Sequence, residues 1–161
     1  MTNVIDEKRI DQIINFLESL NIKSKRFYKI IQAKDLSIIQ IFNEALTHSS
    51  NNQNINYEKL EFFGDAVLRL AASNFIDKTY INMSVGERSE LRSQIVSDEW
   101  LTQLGQKINI ESAILKGPKA LGDQNAKDTI IGEATEALIG AIYKCFNSIK
   151  EVNLWIDDFW E

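Results

Sequence analysis

The chain has 161 residues, 44% of them hydrophobic and 25% charged, with a net charge of −5. Those values allow a sizeable buried core and exclude a disordered tail or a membrane-spanning bundle, while the acidic balance argues against a nonspecific nucleic-acid coat. A single cysteine, Cys145, excludes an internal disulfide framework and a Cys-rich zinc site, and fits a reducing compartment.

The opening stretch, "MTNVIDEKRIDQ", is polar and lacks the basic flank and apolar run of a secretory signal. A soluble protein of the cytoplasm, or of an organelle that encodes its own proteins, is therefore expected. One Pro and seven Gly leave few obligatory breaks, and apolar residues recur at three and four rather than alternating. The pattern predicts an all-α fold in a single domain over residues 1–161, with no internal repeat. Helices are expected over 7–20, 24–33, 36–47, 57–79, 85–107, 127–147 and 152–160. Loops are expected at "SSNNQNIN" (49–56) and at "KGPKALGDQNAK" (116–127), which holds the one Pro and two Gly. "SVGE" (84–87) has the spacing of a capping box, giving Glu87 a structural role at a helix start.

The helix beginning "YEKLEFFGDAVLRL" carries Glu58, Glu61 and Asp65. With about 100° per residue and Glu58 at zero, Glu61 falls near about 300° and Asp65 near about 340°, while Leu60, Phe63, Val67, Leu70 and Ala71 spread over roughly 120° to 220°. Acids on a solvated face would give the same pattern. Three details weigh against that. Glu58 meets Phe62 at i+4 and Glu61 meets Asp65; only Asp65 has a base there, Arg69, so the cluster is repulsive without a cation. Phe62 lies on the acidic side, where a bulky aromatic wants another surface, most simply a second subunit. Gly64 costs about 1 kcal/mol relative to Ala in mid-helix, which implies close approach of a partner helix or a substrate.

A second acidic stretch, "IIGEATEALIGAIY" (130–143), places Glu133 and Glu136 on one face, with Gly132 and Gly140 interrupting the helix. If the two helices cross, Glu61, Asp65, Glu133 and Glu136 are pooled. Four carboxylates with no thiolate suit a hard cation, Mg²⁺ or Mn²⁺. Such a cation activates water and neutralises charge on a phosphate oxygen, which is the chemistry of phosphodiester hydrolysis.

"ALTHSS" (45–50), "YEKLEFFGDAVL" (57–68), "GERSELRS" (86–93) and "EATEALIGAIY" (133–143) resemble the ordered motifs of the ribonuclease III endonuclease domain, over roughly residues 30–146. The resemblance implies an all-α domain that forms a homodimer through the motif-bearing helix and takes double-stranded RNA in the valley between subunits. It implies Mg²⁺-dependent cleavage to 5′-phosphate and 3′-hydroxyl ends with two-nucleotide 3′ overhangs, in processing of ribosomal or other structured RNA. By position, Glu61, Asp65 and Glu136 match the family's metal-binding and catalytic carboxylates, with Asp65 and Glu136 as the catalytic pair. Glu58 matches an accessory acid, and Phe62 matches the aromatic that inserts into the partner subunit.

Two positions depart from the pattern the resemblance sets. Glu133 stands where bacterial members usually carry Asp, which lengthens the arm by one methylene at a geometrically strict Mg²⁺ site. Val85 stands where many carry another Glu. A catalytically impaired, RNA-binding relative is the alternative these two changes raise. The chain stops at Glu161, where family members commonly continue into a double-stranded-RNA-binding domain, and nothing here resembles one; a fragment or a short form of the family is expected. Arg88, Arg92, Lys116 and Lys119 flank the site by motif order and are candidate phosphate contacts, with solvated surface as the equal alternative. His48 is expected to bond within the fold rather than act as a base, Cys145 to be packed, and Trp100, Trp155 and Trp160 to pack in a core or interface. A carboxylate-bridged di-iron bundle is excluded because its Glu-x-x-His pairs are absent.

Overall fold

Sequence elements with apolar residues on every side must be surrounded, and the stretch 127–146 is one of them. In the computed structural model, which describes residues 4–161, it forms the central helix of the molecule, with Ile130, Ile131, Ala134, Ala137, Leu138, Ile139, Ala141 and Ile142 all buried. Residues 1–3, part of the polar opening stretch, lie outside the described residues.

Around it the chain folds as α1 (Glu7–Ser19), α2 (Lys25–Gln32), α3 (Leu36–Ala45), α4 (Glu58–Thr79), α5 (Val85–Ile95), α6 (Asp98–Lys107), α7 (Pro118–Leu121), the central α8 (Lys127–Phe146) and α9 (Ile149–Ile156). Single 3-10 turns follow α6, at Ile110–Ala113, and α9, at Asp157–Phe159. Helices α3, α4, α6 and α9 pack on α8, and one continuous apolar core links them. The expected all-α architecture is therefore present. No helix among the described residues is long and apolar enough to cross a membrane.

Local chemistry explains most boundaries. Asp6, Ser24, Asp35, Ser97 and Ser148 each cap a helix by accepting a backbone N–H within its first turn. The capping box at α5 forms as expected: Ser84 N–H donates to Glu87 Oε2 at 2.8 Å, and Glu87 N–H to Ser84 Oγ at 3.3 Å.

Five expectations need correction, the first being the loop expected over 116–127, which holds the short helix α7 (Pro118–Leu121), opened by the one Pro at its first position. The single helix expected over 85–107 is two, because Ser97 adopts an extended backbone and its Oγ restarts the chain as a new helix at Asp98. The helix expected to reach residue 47 ends at Ala45, and Thr47 instead pairs with Leu115 in an isolated parallel bridge. The last helix begins earlier than residue 152, at Ile149, under the Ser148 cap, and closes in a 3-10 turn. Leu70, assigned to the core stripe of α4, is 49% exposed, because nothing among the described residues covers it.

The remaining aromatic and sulfur expectations hold. Trp155 Nε1 donates to the Leu20 carbonyl and Trp160 Nε1 to that of Ile95, with Trp160 tilted on Trp100 at 5.3 Å between ring centres. Cys145 is buried, and burial pushes its thiol up to about 11, so it is inert at neutral pH.

Candidate metal centre at the crossing of α4 and α8

Backbone contact sets the geometry. A Cβ on Gly64 would lie 2.0 Å from the Glu136 carbonyl oxygen, and one on Gly140 would lie 2.7 Å from that of Leu60. Only glycines permit this approach, and the helix that comes close to Gly64 is α8. The crossing therefore brings Glu136 against the turn of α4 that runs from Glu61 to Asp65.

The polar loop before α4 is built by its own asparagines. Asn52 Oδ1 accepts from the N–H groups of Asn54 and Ile55, each at 3.0 Å, and Asn56 Nδ2 donates to the Asn52 carbonyl at 3.0 Å. Asn56 Oδ1 then accepts from Glu58 N–H at 3.0 Å, satisfying one of the otherwise unpaired donors at the start of α4.

The four pooled acids differ in surroundings. Asp65 is held by Arg69, whose Nε lies 3.1 and 3.2 Å from its two oxygens, the i+4 pair expected from sequence. Glu136 is pushed up to about 8, first by burial and then by the charges of Asp65 and Glu61. Burial likewise raises Glu61 to about 7, with Glu133 and Glu58 adding to it. Glu133 accepts a short hydrogen bond from the hydroxyl of Tyr57. Burial and that neighbouring carboxylate hold the Tyr57 phenol well above its ordinary value, so it remains a donor.

Glu61, Glu133 and Glu136 share a cavity of about 490 Å³ with Asp98, Thr102 and Asp128. The charge of Asp98 contributes to raising both Glu61 and Glu136. Sequence reading missed Asp98 because it was placed inside a continuous helix; the signal was Ser97 followed by two acids, the pattern of a helix start. It also missed Tyr57, whose polar tip finds its partner 76 residues away.

The donor set is all oxygen and tests well against a hard divalent cation. Carboxylates crowded enough to hold protons near neutral pH are those a cation would relieve. Among the described residues no three Asp, Glu, His or Cys side chains are already drawn together at metal-binding distance, so closing around an ion requires side-chain rotation.

Other site expectations are placed as follows. Phe62 is 86% exposed on the outer face of α4, and Val85 is 80% exposed at the start of α5. Glu58 is exposed at the first turn of α4. Arg88 is engaged inside the fold: it donates to Asp77 at 2.8 Å and to the carbonyls of Met83, Tyr80 and Ile81. Lys116 is only 7% exposed in its side chain and bonds Glu111 at 3.3 Å. Arg92 bonds Ser73 Oγ at 3.0 Å, and Lys119 is exposed on α7. His48 Nδ1 accepts from Ser50 N–H at 3.1 Å, the internal role expected for it.

Residues 39–154 match the family described as ribonuclease-III-like, which covers most of the chain. The chain belongs to the ribonuclease III family. It is 44% identical over 160 residues to ribonuclease 3 of Prochlorococcus marinus, covering 99% of this chain and 64% of that protein. It is also 36% identical over 118 residues to a second ribonuclease 3 of Nostoc sp., covering 73% of this chain and 49% of that one. The chain thus spans 64% and 49% of the length of these two relatives, less than two thirds of either. Two structures of the nuclease domain of ribonuclease III from Campylobacter jejuni superpose on it. The first, described for structural flexibility in the region involved in dimer formation, has a TM-score of 0.72 at 26% identity over 94% of this chain and 99% of that one. The second has a TM-score of 0.67 at 25% identity over 100% and 99%.

Proposed function

We propose that this chain is a Mg²⁺-dependent endoribonuclease that cleaves double-stranded RNA, with Mn²⁺ able to substitute. The observation that carries this reading is that Glu61, Glu133 and Glu136 line one cavity at a helix crossing made close by Gly64 and Gly140, with Asp65 beside Glu136. Membership of the ribonuclease III family supports it.

Glu61, Asp65, Glu133 and Glu136 would hold the cation, with Asp65 and Glu136 nearest the chemistry and Glu58 as an accessory charge. When bound, the cation supplies an activated water and neutralises charge growing on a phosphate oxygen. The protein's part is positional. Arg69 fixes Asp65, Tyr57 fixes Glu133, and the glycine crossing fixes the backbone of Glu136.

The exposed Phe62, with Leu70 also exposed on α4, supports a homodimer in which two sites face one duplex. Cleavage of each strand by one subunit would leave 5′-phosphate and 3′-hydroxyl ends with two-nucleotide 3′ overhangs. Processing of ribosomal or other structured RNA in the cytoplasm, or in an organelle interior, is the fitting role. Of the four cations named from sequence, Lys119 is exposed on α7 and could meet a phosphate without losing a bond seen among the described residues, whereas Arg92, Arg88 and Lys116 would have to give up bonds within the fold.

The test is cleavage of a labelled RNA hairpin with Mg²⁺, with Mn²⁺ and with chelator, beside Glu136→Gln. Staggered, metal-dependent cuts lost in the variant support the reading. RNA binding without cleavage under either metal would establish the impaired relative instead. Sedimentation of the same sample should show a particle near twice the chain mass of 18.4 kDa.

A further inference from the structure

Tyr57 is 2% exposed and is held on several sides. Its N–H donates to the Thr47 carbonyl at 2.9 Å, and its own carbonyl accepts from Glu61 N–H at 2.8 Å. Its ring stands edge-on to His48 at 5.7 Å between ring centres, and His48 is itself pinned by Ser50. From this frame its hydroxyl donates to Glu133 Oε2. One residue thus joins the backbone that starts α4, and so places Glu58 and Glu61, to the carboxylate that α8 contributes.

Glu133 is also the position where the resemblance leads one to expect aspartate. A glutamate has one more rotatable bond and needs something to choose its rotamer. An aspartate at this position would withdraw the carboxylate by about one C–C bond, roughly 1.5 Å, and could not keep the contact from the same backbone. The longer arm and the tyrosine therefore make sense together.

Resting on the catalytic reading above, we infer that Tyr57 is a positioning residue for the metal centre: it takes Oε2 of Glu133 and leaves Oε1 as the oxygen offered to the cation. The extra methylene at 133 is then a built feature of this chain rather than a defect. A partner of this kind, bonded to a ligating carboxylate, typically changes metal affinity by about 10- to 100-fold when removed.

The experiment is a Mn²⁺ titration followed by electron paramagnetic resonance, without RNA, on the wild type, Tyr57→Phe, Glu133→Asp, Glu133→Gln and the Tyr57→Phe/Glu133→Gln double variant. Hairpin cleavage is measured in parallel as a function of Mg²⁺. Tyr57→Phe should weaken Mn²⁺ about 10-fold or more and shift the Mg²⁺ requirement upward, with the rate recovering at saturating Mg²⁺. In the Glu133→Gln background it should add nothing further. Glu133→Asp should weaken Mn²⁺ as well, although it keeps a carboxylate.

Unchanged Mn²⁺ affinity in Tyr57→Phe, or an additive effect in the double variant, overturns the assignment. So does Glu133→Asp binding as tightly as the wild type, and this arm decides the matter if Tyr57→Phe loses its cooperative thermal melt. A wild type that binds no Mn²⁺ and cuts no RNA fails differently: it overturns the catalytic reading on which this one rests.

Discussion

Two regions of this molecule take charge out of water, and they do it in opposite ways. Arg9 of α1 is 7% exposed and fully engaged: Nε donates to Asn43 Oδ1 at 2.8 Å, Nη1 to Gln12 Oε1 and the Ala113 carbonyl at 2.7 Å each, and Nη2 to the Leu46 carbonyl at 3.1 Å. Burial still pulls it down to about 10, well above any working pH, so the cation is permanent and its donors staple α1 to α3 and the 3-10 turn. At the crossing of α4 and α8, by contrast, carboxylates face carboxylates. Tyr57 and Arg69 are the donors to Glu133 and Asp65, and Glu61 and Glu136 are left raised by burial and by the carboxylates around them. Charge that serves only the fold is saturated by the fold. Charge left unsaturated at a rigid crossing is held for something that arrives from outside.

The sharpest way to break this contrast is at the crossing itself. Gly64→Ala would push a methyl to 2.0 Å from a backbone oxygen that cannot rotate away. The helices must separate, at a cost of about 3 kcal/mol, the upper end for an overpacked contact, and the acids move apart with them. Both the urea midpoint and hairpin cleavage should collapse; a stable, active variant would mean that the close approach does not set the site. A smaller effect is expected at the saturated end. Arg9→Met keeps the apolar stem but strips donors from the Ala113 carbonyl and Asn43, costing about 2 kcal/mol. Its cleavage rate at fixed Mg²⁺ should stay within a few-fold of wild type, and a much larger loss would tie Arg9 to the catalytic end after all.

How much of this was readable in advance follows from which interactions are local. The helix periods, the capping box at Ser84 and Glu87, and the i+4 pair of Asp65 and Arg69 are short-range, and all were legible. The crossing was legible indirectly, because Gly64 is a liability that only close packing excuses. The break at Ser97 was missed because apolar spacing continues across it, although Ser97 followed by Asp98 and Glu99 is a helix start in its own right. Leu70 was misplaced because the wheel assumes that an apolar residue near the core stripe is covered by the same chain. The partners of Tyr57 and Arg9 come from distant segments, and no local pattern carries them.

The finest test of the comparison is the pH dependence of stability without metal. An unfolded glutamate releases its proton near the ordinary 4.5, whereas in the fold Glu61 holds its proton up to about 7 and Glu136 up to about 8. Between those limits the folded state binds more protons than the unfolded one, so stability falls as pH rises. The contribution of the two groups is fully present below 4.5 and is lost through about 7 and then about 8. With chelator, the melting temperature should therefore decline from mildly acidic to mildly alkaline pH. Adding Mg²⁺ should restore it most at the alkaline end, where the cation takes the place of protons already gone. Glu136→Gln, which removes the higher-titrating member without its shape, should flatten the upper part of the decline and stabilise the metal-free domain while abolishing cleavage. Opposite signs on stability and activity from one substitution are what an unsaturated functional charge predicts. A slope in Glu136→Gln equal to that of the wild type would show that the proton sits elsewhere.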